Sequence, residues 1–357
     1  SILSELKETS PVEYSLFKNA EVSYPDEKNI KMVLEESVLA REKEKELVRI
    51  LEKIFQERCG FDVKIETAYR EKKERKHTMQ LGIRLHDTTK LLFEERIAQV
   101  HQLGFTCGHL ALSKVIDEFS TEDEALTPGL AMYMKKVFAK NEVDIAVLGC
   151  YLNLANPNRK QLAETVHRYM AHIRFASWLG CGVVGTETGA PNETYTYVPE
   201  CHTEEALHTF TKNLRPIVKY AQKMGVVVAI EPVYRHIVYD AKRARQVLDE
   251  IGSPNLQIIF DPVNLLDVEN YADRQAVIEE AIELLGPDIA VIHLKDCAVR
   301  DGKLLSMGCG LGEMDYTSIL RFIKERKPYI HATLEDTKPE NNQRVKHFIS
   351  RKYAELN

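Results

Sequence analysis

Apolar runs typical of β-strands alternate with amphipathic helical patterns along most of this 357-residue chain. Eight such runs follow Met79: Leu81–Leu85, Cys107–Leu112, Ile145–Cys150, Gly182–Thr186, Val226–Ile230, Leu256–Phe260, Ala290–Leu294 and Ile330–Leu334. Regular strand–helix alternation predicts a parallel sheet with helical crossovers. Eight units in about 280 residues match the size and period of a (β/α)8 barrel, the TIM barrel, so we predict an α/β fold of this type.

A doubly wound open sheet is the main alternative. It would carry a glycine-rich phosphate-binding turn after its first strand, whereas the corresponding segment here, His86–Lys90, contains no glycine. The clearest helical patterns are Leu92–Leu103, Pro128–Asn141, Lys160–Leu179, Glu204–Met224, Ala241–Ile251, Arg274–Leu285 and Tyr316–Glu325. Several of them are followed by a glycine, as helix C-termini favour.

The first 78 residues follow a different pattern, which is typical of a small α+β module. Two short strands are predicted at Ala20–Tyr24 and Asn29–Leu34, around a turn at Pro25–Asp26. A helix is predicted at Leu39–Cys59, where apolar residues fall on one face, and an edge strand at Asp62–Glu66. No cluster of residues in this module resembles a catalytic site.

Seven consecutive charged residues, Arg70–Lys76, separate this module from the barrel pattern. Such a run predicts a solvated linker or helix end. A basic docking patch is the alternative, which the interleaved glutamates disfavour. We therefore expect a small α+β N-terminal module with a charged linker at 1–78 and a TIM barrel at 79–357.

Three short motifs of the module resemble the N-terminal domain of the Gram-positive type of replicative DNA polymerase III alpha subunit. They are Ser10–Tyr14, Lys18–Glu21 and Phe61–Ile65. We carry no function over from this resemblance.

Composition excludes two classes of protein and indicates a compartment. The net charge of -6 argues against a dedicated nucleic-acid binder, which normally presents a basic surface. No apolar run approaches the roughly 18 residues of a membrane span, and the polar residues Ser1–Ser10 do not resemble a signal peptide. The seven cysteines are scattered and form no CxxC motif, so we expect reduced thiols in a cytoplasmic protein.

Ionisable residues follow the predicted strands, at the end of a barrel where TIM-barrel active sites lie. Glu231, Asp261, His293 and Glu335 lie at the ends of four successive apolar runs. Three carboxylates and one imidazole suit a divalent ion such as Mn²⁺, Mg²⁺ or Co²⁺, whereas Zn²⁺ usually takes more nitrogen or sulfur ligands. We predict that their ligand atoms lie within roughly 5 Å of a common point, as liganding distances near 2 Å require.

Six segments at these positions resemble the sugar isomerase/epimerase TIM barrels related to xylose isomerase, the AP endonuclease 2 superfamily. They are Val184–Gly189, Ala229–Val233, Phe260–Asn264, Ile292–Asp296, Gly308–Tyr316 and Leu334–Asp336. The resemblance covers about residues 80–357. It rests on all six segments occurring in order, each at a strand end or a helix start.

The resemblance implies that Glu231, Asp261, His293 and Glu335 bind the metal, with Mn²⁺ favoured and Mg²⁺, Co²⁺ or Zn²⁺ as alternatives. In the related ketose 3-epimerases the two glutamates are also the acid/base pair. One removes a proton beside the carbonyl to give a metal-stabilised enediolate, and a proton then returns from the other side or to the neighbouring carbon. The implied activity is that of a divalent-metal-dependent isomerase or epimerase of a small sugar or sugar phosphate.

Further residues near the strand ends are candidates for substrate contacts. They are His86, His109, Glu187, Arg235, Asn264 and Lys295, and the resemblance adds Arg300, which corresponds to an arginine that the family has a few residues after its ligand histidine. Asn264 departs from the family, whose epimerases commonly have His three residues after the ligand Asp. An amide donates a hydrogen bond but relays no proton near pH 7, which favours an isomerase or a dehydratase over an epimerase. We expect Asp296 to orient the imidazole ring of His293.

Other functions stay open. A dehydratase acting on a cyclic polyol ketone would use the same metal site. An endonuclease IV-like nuclease would need a trinuclear zinc cluster and extra histidines, whereas Asn264 and Asp301–Lys303 stand where some of these are expected. A non-catalytic sugar-binding barrel would be favoured by the loss of a metal ligand, and all four are present.

The glycine-rich segment Gly308–Gly312 has two interpretations. It is either a phosphate cradle at a helix start or a turn before Asp315 begins the helix, which leaves phosphorylation of the substrate open. We expect a small-molecule sugar partner and no nucleic-acid or membrane partner, and a homo-oligomer is compatible with the sequence.

Overall fold

The computed structural model describes residues 6, 9–18, 20–26, 28–70 and 79–356. The chain separates into two compact units, residues 1–76 and 77–357. Apart from Arg70, the charged segment that was predicted as a linker lies outside the described residues.

The N-terminal unit contains a three-stranded sheet and a long helix. Its elements are α1 (Pro11–Lys18), β1 (Glu21–Ser23), β2 (Asn29–Glu35), α2 (Val38–Cys59) and β3 (Lys64–Arg70). The central strand β2 is antiparallel to β1 and parallel to β3, and α2 provides the crossover that a parallel pair needs. Helix α2 begins at Ser37, whose Oγ accepts a hydrogen bond from the amide of Ala40 at 3.0 Å. It ends at Gly60, which has a left-handed φ of 74°.

Eight parallel strands close into a barrel in the second unit, which confirms the predicted (β/α)8 fold with its small N-terminal extension. They are β4 (Gln80–Arg84), β5 (Cys107–Leu110), β6 (Asp144–Gly149), β7 (Val183–Glu187), β8 (Val227–Glu231), β9 (Leu256–Phe260), β10 (Ile289–Leu294) and β13 (His331–Leu334). The circuit follows chain order and closes where β13 pairs with β4, with Leu334 opposite Ile83. Strands covered on both faces carry continuous apolar runs, which is why the sequence located all eight.

Helices connect the strands and pack against them around a large apolar core. They are α3 (Phe93–Gln102), α4 (Leu112–Val115), α5 (Pro128–Lys140), α6 (Arg159–Leu179), α7 (Glu204–Met224), α8 (Ala241–Ile251), α9 (Arg274–Leu285), α10 (Thr317–Arg326) and α11 (Asn342–Glu355). Helices α6, α7 and α8 end at Gly180, Gly225 and Gly252, which have φ values of 82°, 67° and 60°. Only glycine adopts these angles without strain. Of the helices in the described ranges, none combines the length and apolar character needed to cross a membrane.

A hairpin, the last helix and the short helices α1 and α4 were not predicted. Strands β11 (Asp296–Arg300) and β12 (Lys303–Met307) pair antiparallel directly after β10. They turn at Asp301–Gly302, where both residues have positive φ, as two-residue hairpin turns require. Helix α11 was missed because its buried apolar residues, such as Val345 and Ile349, recur only every fourth position among polar ones.

The interior of the barrel is filled by small and branched side chains. Val147, Ala229, Ile259 and Val291 form a buried cluster. Gly185 is required beside it, because a Cβ there would lie only 2.6 Å from Cδ1 of Ile259. The barrel is therefore packed through its centre, and the functional side chains lie at the C-terminal ends of the strands.

Candidate metal centre

Four carboxylate and imidazole side chains occupy neighbouring strand ends at one mouth of the barrel. Glu231 ends β8, Asp261 follows β9, His293 lies in β10 and Glu335 follows β13. These strands are consecutive in the barrel circuit. All four residues are buried, with relative exposures of 2%, 1%, 0% and 4%. Neighbouring strands lie only about 4.8 Å apart, so the four side chains share one small volume.

His293 lies at the centre of the group. Its Nδ1 is 3.2 Å from Oε1 of Glu335 and 3.5 Å from Oε1 of Glu231, yet neither nitrogen of the ring makes a hydrogen bond. Two sets of residues that share His293 have ligand atoms within 4.8 Å of one another. One set is Glu231, Asp261 and His293, and the other is His109, His293 and Glu335. The structure thus brings the four predicted ligands together and adds His109 to them.

This set of donor atoms fits a divalent ion. Within the described part of the chain, the buried polar atoms without a hydrogen-bond partner include both ring nitrogens of His293 and His109. Unpaired polar atoms in an interior are costly, and a bound ion would remove that cost. Oδ1 of Asp261 accepts hydrogen bonds from the amides of Val263 and Asn264, at 2.9 and 3.1 Å. These bonds fix the carboxylate and leave Oδ2 for other contacts.

Burial and neighbouring charges act on the pKa values of these groups in opposite directions. Burial alone would lower the pKa of His293, but the carboxylates of Glu335 and Glu231 raise it to about 9. Burial would raise the pKa of Glu335, but the charge of His293 and other neighbouring donors hold it well below its usual range. The pKa of Glu231 is lowered against burial in the same way. Burial raises the pKa of Asp261 to about 6, although the charge of Lys295 opposes the shift. In the metal-free protein His293 is therefore a cation between two carboxylates.

Lys295 and Asn264 link the ligands into one network. Nζ of Lys295 lies 2.9 Å from Oδ2 of Asp261 and donates to Oδ1 of Asn264 at 2.8 Å. Nδ2 of Asn264 donates in turn to Oε1 of Glu231 at 2.6 Å. Lys295, Asn264 and Glu231 line the same cavity of about 390 Å³. Both predicted substrate-contact residues are thus placed where a bound molecule would meet the carboxylates.

His109 lies between two aromatic rings. It stacks on His293, with ring centroids 5.2 Å apart, and on Tyr151, with centroids 5.7 Å apart. Its Nδ1 is 3.4 Å from Oε1 of Glu335. The hydroxyl of Tyr151 donates to Oε2 of Glu231 at 3.2 Å. Tyr151 was not predicted, because it follows β6 in a segment with no charged residue to mark it.

Glu187 and His86 line the same cavity. Oε2 of Glu187 accepts a hydrogen bond from the hydroxyl of Tyr195 at 3.1 Å. Burial and the charge of Glu231 raise the pKa of Glu187 to about 7. Burial lowers the pKa of His86 to about 3, so this imidazole is neutral at physiological pH. The cavity therefore offers both a neutral imidazole and a carboxyl group that is partly protonated near pH 7.

Two arginines that were expected to contact the substrate are not among the residues that line this cavity. Nε of Arg235 donates to Oδ2 of Asp267 at 2.7 Å, and the arginine side chain is 62% exposed. Arg300 lies in β11 and donates to Oε1 of Glu313 at 2.7 Å. The family resemblance suggested Arg300, as the arginine a few residues after the ligand His293, but the hairpin that begins at Asp296 directs it to this exposed pair.

Asp296 contacts the glycine-rich segment, and no contact with His293 is seen. Its Oδ1 accepts hydrogen bonds from the amides of Cys297 and Met314, at 2.8 and 2.9 Å. Its Oδ2 accepts from the amide of Gly310 at 2.8 Å. These bonds use backbone amides that a phosphate cradle would need, which favours the interpretation of the segment as a turn.

Comparison with known proteins identifies the family. Residues 97–349 match the family described as the xylose isomerase-like TIM barrel. The chain belongs to this family. No curated protein sequence matches the chain significantly.

Solved structures of xylose isomerase-like barrels share the fold at low sequence identity. A D-tagatose 3-epimerase-like protein is 21% identical, with a TM-score of 0.60, and the match covers 78% of this chain and 98% of that one. The 3-keto-D-glucoside 4-epimerase of E. coli is 14% identical, with a TM-score of 0.58, over 76% and 99% of the two chains. A probable 3-DHS dehydratase from Bacillus anthracis is 14% identical, with a TM-score of 0.59, over 78% and 100%. At these identities the likeness shows the fold alone.

Proposed function

We propose that this xylose isomerase-like barrel is a divalent-metal-dependent isomerase or epimerase of a small sugar or sugar phosphate. The observation that carries the proposal is a pair of possible ligand sets that share His293, one with Glu231 and Asp261 and the other with His109 and Glu335, beside a cavity of about 390 Å³. Mn²⁺ is the favoured ion, because the set is rich in oxygen and contains one imidazole. Two structural relatives whose names denote sugar epimerases support the substrate class.

Glu231 and Glu335 are proposed as the acid/base pair. Asp261 and His293 come from the strands between them in the circuit, so the two glutamates flank the other ligands. A bound ion would polarise the carbonyl oxygen of the substrate and stabilise developing negative charge, an effect worth several kcal/mol. Both glutamates have lowered pKa values against the effect of burial, so each is ionised at neutral pH, as a general base must be. A positioned carboxylate contributes a factor of roughly 10²–10⁴ to such a proton transfer.

We propose that three side chains hold Glu231 and the substrate in a fixed relative position, namely those of Asn264, Lys295 and Tyr151. Asn264 and Tyr151 each donate a hydrogen bond to one oxygen of Glu231, which fixes the plane of its carboxylate. The ammonium group of Lys295 lines the cavity and is placed to donate to an oxygen of the substrate. These contacts also keep the substrate carbon close to the carboxylate that accepts its proton.

The test is a screen for solvent hydrogen exchange. The purified protein is incubated in D₂O with a panel of free and phosphorylated ketoses, with added Mn²⁺ or with a chelator, and deuterium at the carbon beside the carbonyl is read by NMR. We expect metal-dependent exchange on at least one ketose. Glu313→Gln is a matched control, because this glutamate is exposed and pairs with Arg300 outside the cavity, so its rate should equal that of the unmodified protein. Metal binding without exchange on any ketose would contradict the proposed chemistry and favour a sugar-binding barrel.

A dehydratase acting on a polyol ketone is the second candidate, and one observation favours it. Loss of a hydroxyl group needs a general acid in addition to the base, and Glu187 is a cavity-lining carboxyl group whose pKa burial and the charge of Glu231 raise to about 7. One relative is named as a probable dehydratase. The same screen separates the two reactions once cyclic polyol ketones are added to the panel, because a dehydratase forms an absorbing unsaturated ketone that an epimerase does not form.

The compartment and partners are proposed on two further observations. The six cysteines whose side chains are described are all free and buried, which fits a reducing compartment such as the cytoplasm. The net charge of -6 does not suit a protein that binds nucleic acid through its surface. We therefore propose that the protein is a cytoplasmic enzyme that binds only small molecules at this site.

A further inference from the structure

The barrel closes between its first and last strands, directly beside the candidate centre. Strands β13 and β4 pair with Leu334 opposite Ile83. The next residue along each strand is Glu335 on one side and Arg84 on the other. These two residues are 251 positions apart in the chain, so only the closed barrel brings them together.

Arg84 contacts three carboxylates at once. Its Nη1 donates to Oε2 of Glu335 at 3.1 Å, its Nε to Oδ2 of Asp87 at 3.0 Å, and its Nη2 to Oδ1 of Asp336 at 2.8 Å. The arginine side chain is 21% exposed and lines the cavity. A planar guanidinium group has five donors in a fixed fork, whereas the single ammonium of lysine cannot reach three acceptors in this geometry.

The two oxygens of Glu335 have different surroundings. Oε1 lies 3.2 Å from Nδ1 of His293 and 3.4 Å from Nδ1 of His109. Oε2 lies 3.1 Å from Arg84 and 3.9 Å from Nζ of Lys295. The two oxygens of an ionised carboxylate are equivalent, so a half-turn about the Cγ–Cδ bond restores the same contacts, whereas a smaller rotation would break the hydrogen bond to Arg84. Arg84 therefore fixes the plane of the carboxylate in which one oxygen faces the imidazoles.

Arg84 is itself held in place by both of its other partners. Asp336 has a left-handed φ of 52°, which is unfavourable for a residue with a side chain and persists only where contacts compensate for it. Its Oδ2 accepts a hydrogen bond from the hydroxyl of Ser306 in strand β12, and its Oδ1 accepts from Arg84. The hairpin and the strained residue thus fix one acceptor of the guanidinium group, and Asp87 fixes another.

We propose that Arg84 is a positioning residue that fixes the plane of the Glu335 carboxylate, with one oxygen toward the metal centre, across the closure between the first and last strands of the barrel. This inference rests on the proposed function, because it assigns Glu335 to the ion. Arg84 acts through Glu335 and not through its own charge. Its positive charge alone would repel a divalent cation, so loss of that charge without loss of positioning would strengthen metal binding. The two effects have opposite signs and can be separated by measurement.

The test is a double-mutant cycle on Mn²⁺ affinity, measured by the disappearance of the EPR signal of free Mn²⁺ on titration of the full chain. We expect Arg84→Met to weaken Mn²⁺ binding by about tenfold to hundredfold, as the loss of a group that orients a ligand typically does. In a Glu335→Gln background the same substitution should leave the affinity unchanged or slightly stronger. Arg84→Lys keeps the positive charge but loses the planar set of donors, so it should also weaken Mn²⁺ binding. It is the alternative variant if Arg84→Met does not fold.

Arg245→Met is the matched control. Arg245 also bridges two carboxylates, those of Asp249 and Asp288, but Asp288 lies at the opposite end of strand β10 from the centre. Its substitution should leave Mn²⁺ affinity unchanged. Equal loss from Arg84→Met in both backgrounds, or tighter binding in the unmodified background, would overturn the inference. If the unmodified protein binds no Mn²⁺, the proposed function is wrong. That result differs from an equal loss in both backgrounds, which would overturn only the role of Arg84.

Discussion

The raised pKa of His293 predicts that metal binding depends steeply on pH. In the metal-free protein the carboxylates of Glu335 and Glu231 raise this pKa to about 9 against the effect of burial. A metal ion binds only the neutral imidazole, so each ion must displace a proton. Because the folded-state pKa is raised, the protonated form dominates below pH 9, and the displacement costs free energy at every lower pH.

The magnitude follows from that pKa. At pH 7, about two units below it, roughly 1% of the metal-free protein has a neutral His293, and deprotonation costs about 2.7 kcal/mol at 1.36 kcal/mol per unit. Apparent Mn²⁺ affinity should therefore rise about tenfold per pH unit between pH 6.5 and 8.5. Below about pH 6 the dependence should become steeper, because burial raises the pKa of Asp261 to about 6 and this carboxyl group then also releases a proton.

Isothermal titration at one pH in several buffers measures the number of protons released. The observed enthalpy is plotted against the ionisation enthalpy of the buffer, and the slope is the proton count. We expect about one proton per Mn²⁺ at pH 7.5, and His293→Gln should bind more weakly and release fewer protons. An affinity that is constant between pH 7 and 8.5, with no proton released, would refute the reasoning about His293.

Three other outcomes are expected. Glu231→Gln and Glu335→Gln should each retain part of the bound Mn²⁺ yet lose roughly 10²–10⁴ in exchange rate, so near-normal exchange in a metal-loaded variant would remove that glutamate from the acid/base role. A chain that begins at Met79 should fold and keep its Mn²⁺ affinity, because every proposed ligand follows that residue; an insoluble product would place the domain boundary elsewhere. Phe210→Ala, in a fully buried position of helix α7, should lower the free energy of unfolding by about 3–5 kcal/mol in chemical denaturation. The same variant should bind Mn²⁺ normally, and a stability loss below about 1 kcal/mol would contradict the packing seen around that ring.

The barrel could be predicted from sequence because its strands and helices carry strong periodic signals. Each strand is covered on both faces and so has an uninterrupted apolar run, and helices such as Glu204–Met224 were located to the residue by their apolar face and by Gly225. The hairpin at 296–307 had no such signal, because its strand Lys303–Met307 is largely exposed. An exposed strand is not required to be apolar, and its sequence then resembles that of a loop.

The candidate site could be predicted only in part, for a related reason. Glu231 and Asp261 stand out because a charged residue directly after an apolar run has few structural explanations. Arg84 lies within the predicted strand Leu81–Leu85, but nothing in the sequence indicates that it pairs with Glu335, which is 251 positions away. Arg300 was selected to match an arginine that the family has a few residues after its ligand histidine, and distance along the chain does not determine the direction of a side chain once a hairpin intervenes. Contacts of this kind follow from closure of the barrel and not from local pattern.

Asn264 affects the ionisation state of Glu231. An amide has one donor end and one acceptor end, and here both are used: Nδ2 donates to Glu231 and Oδ1 accepts from Lys295. A histidine at this position would exchange protons near neutral pH, whereas the amide keeps the same polarity at every pH. Asn264 accepts a hydrogen bond from the ammonium of Lys295 and donates one to Glu231. It therefore favours the ionised form of Glu231 without taking part in proton transfer. Proton transfer at this face of the centre then depends on Glu231 itself, which is why Glu231→Gln, and not a substitution of Asn264, is the decisive variant for the proposed chemistry.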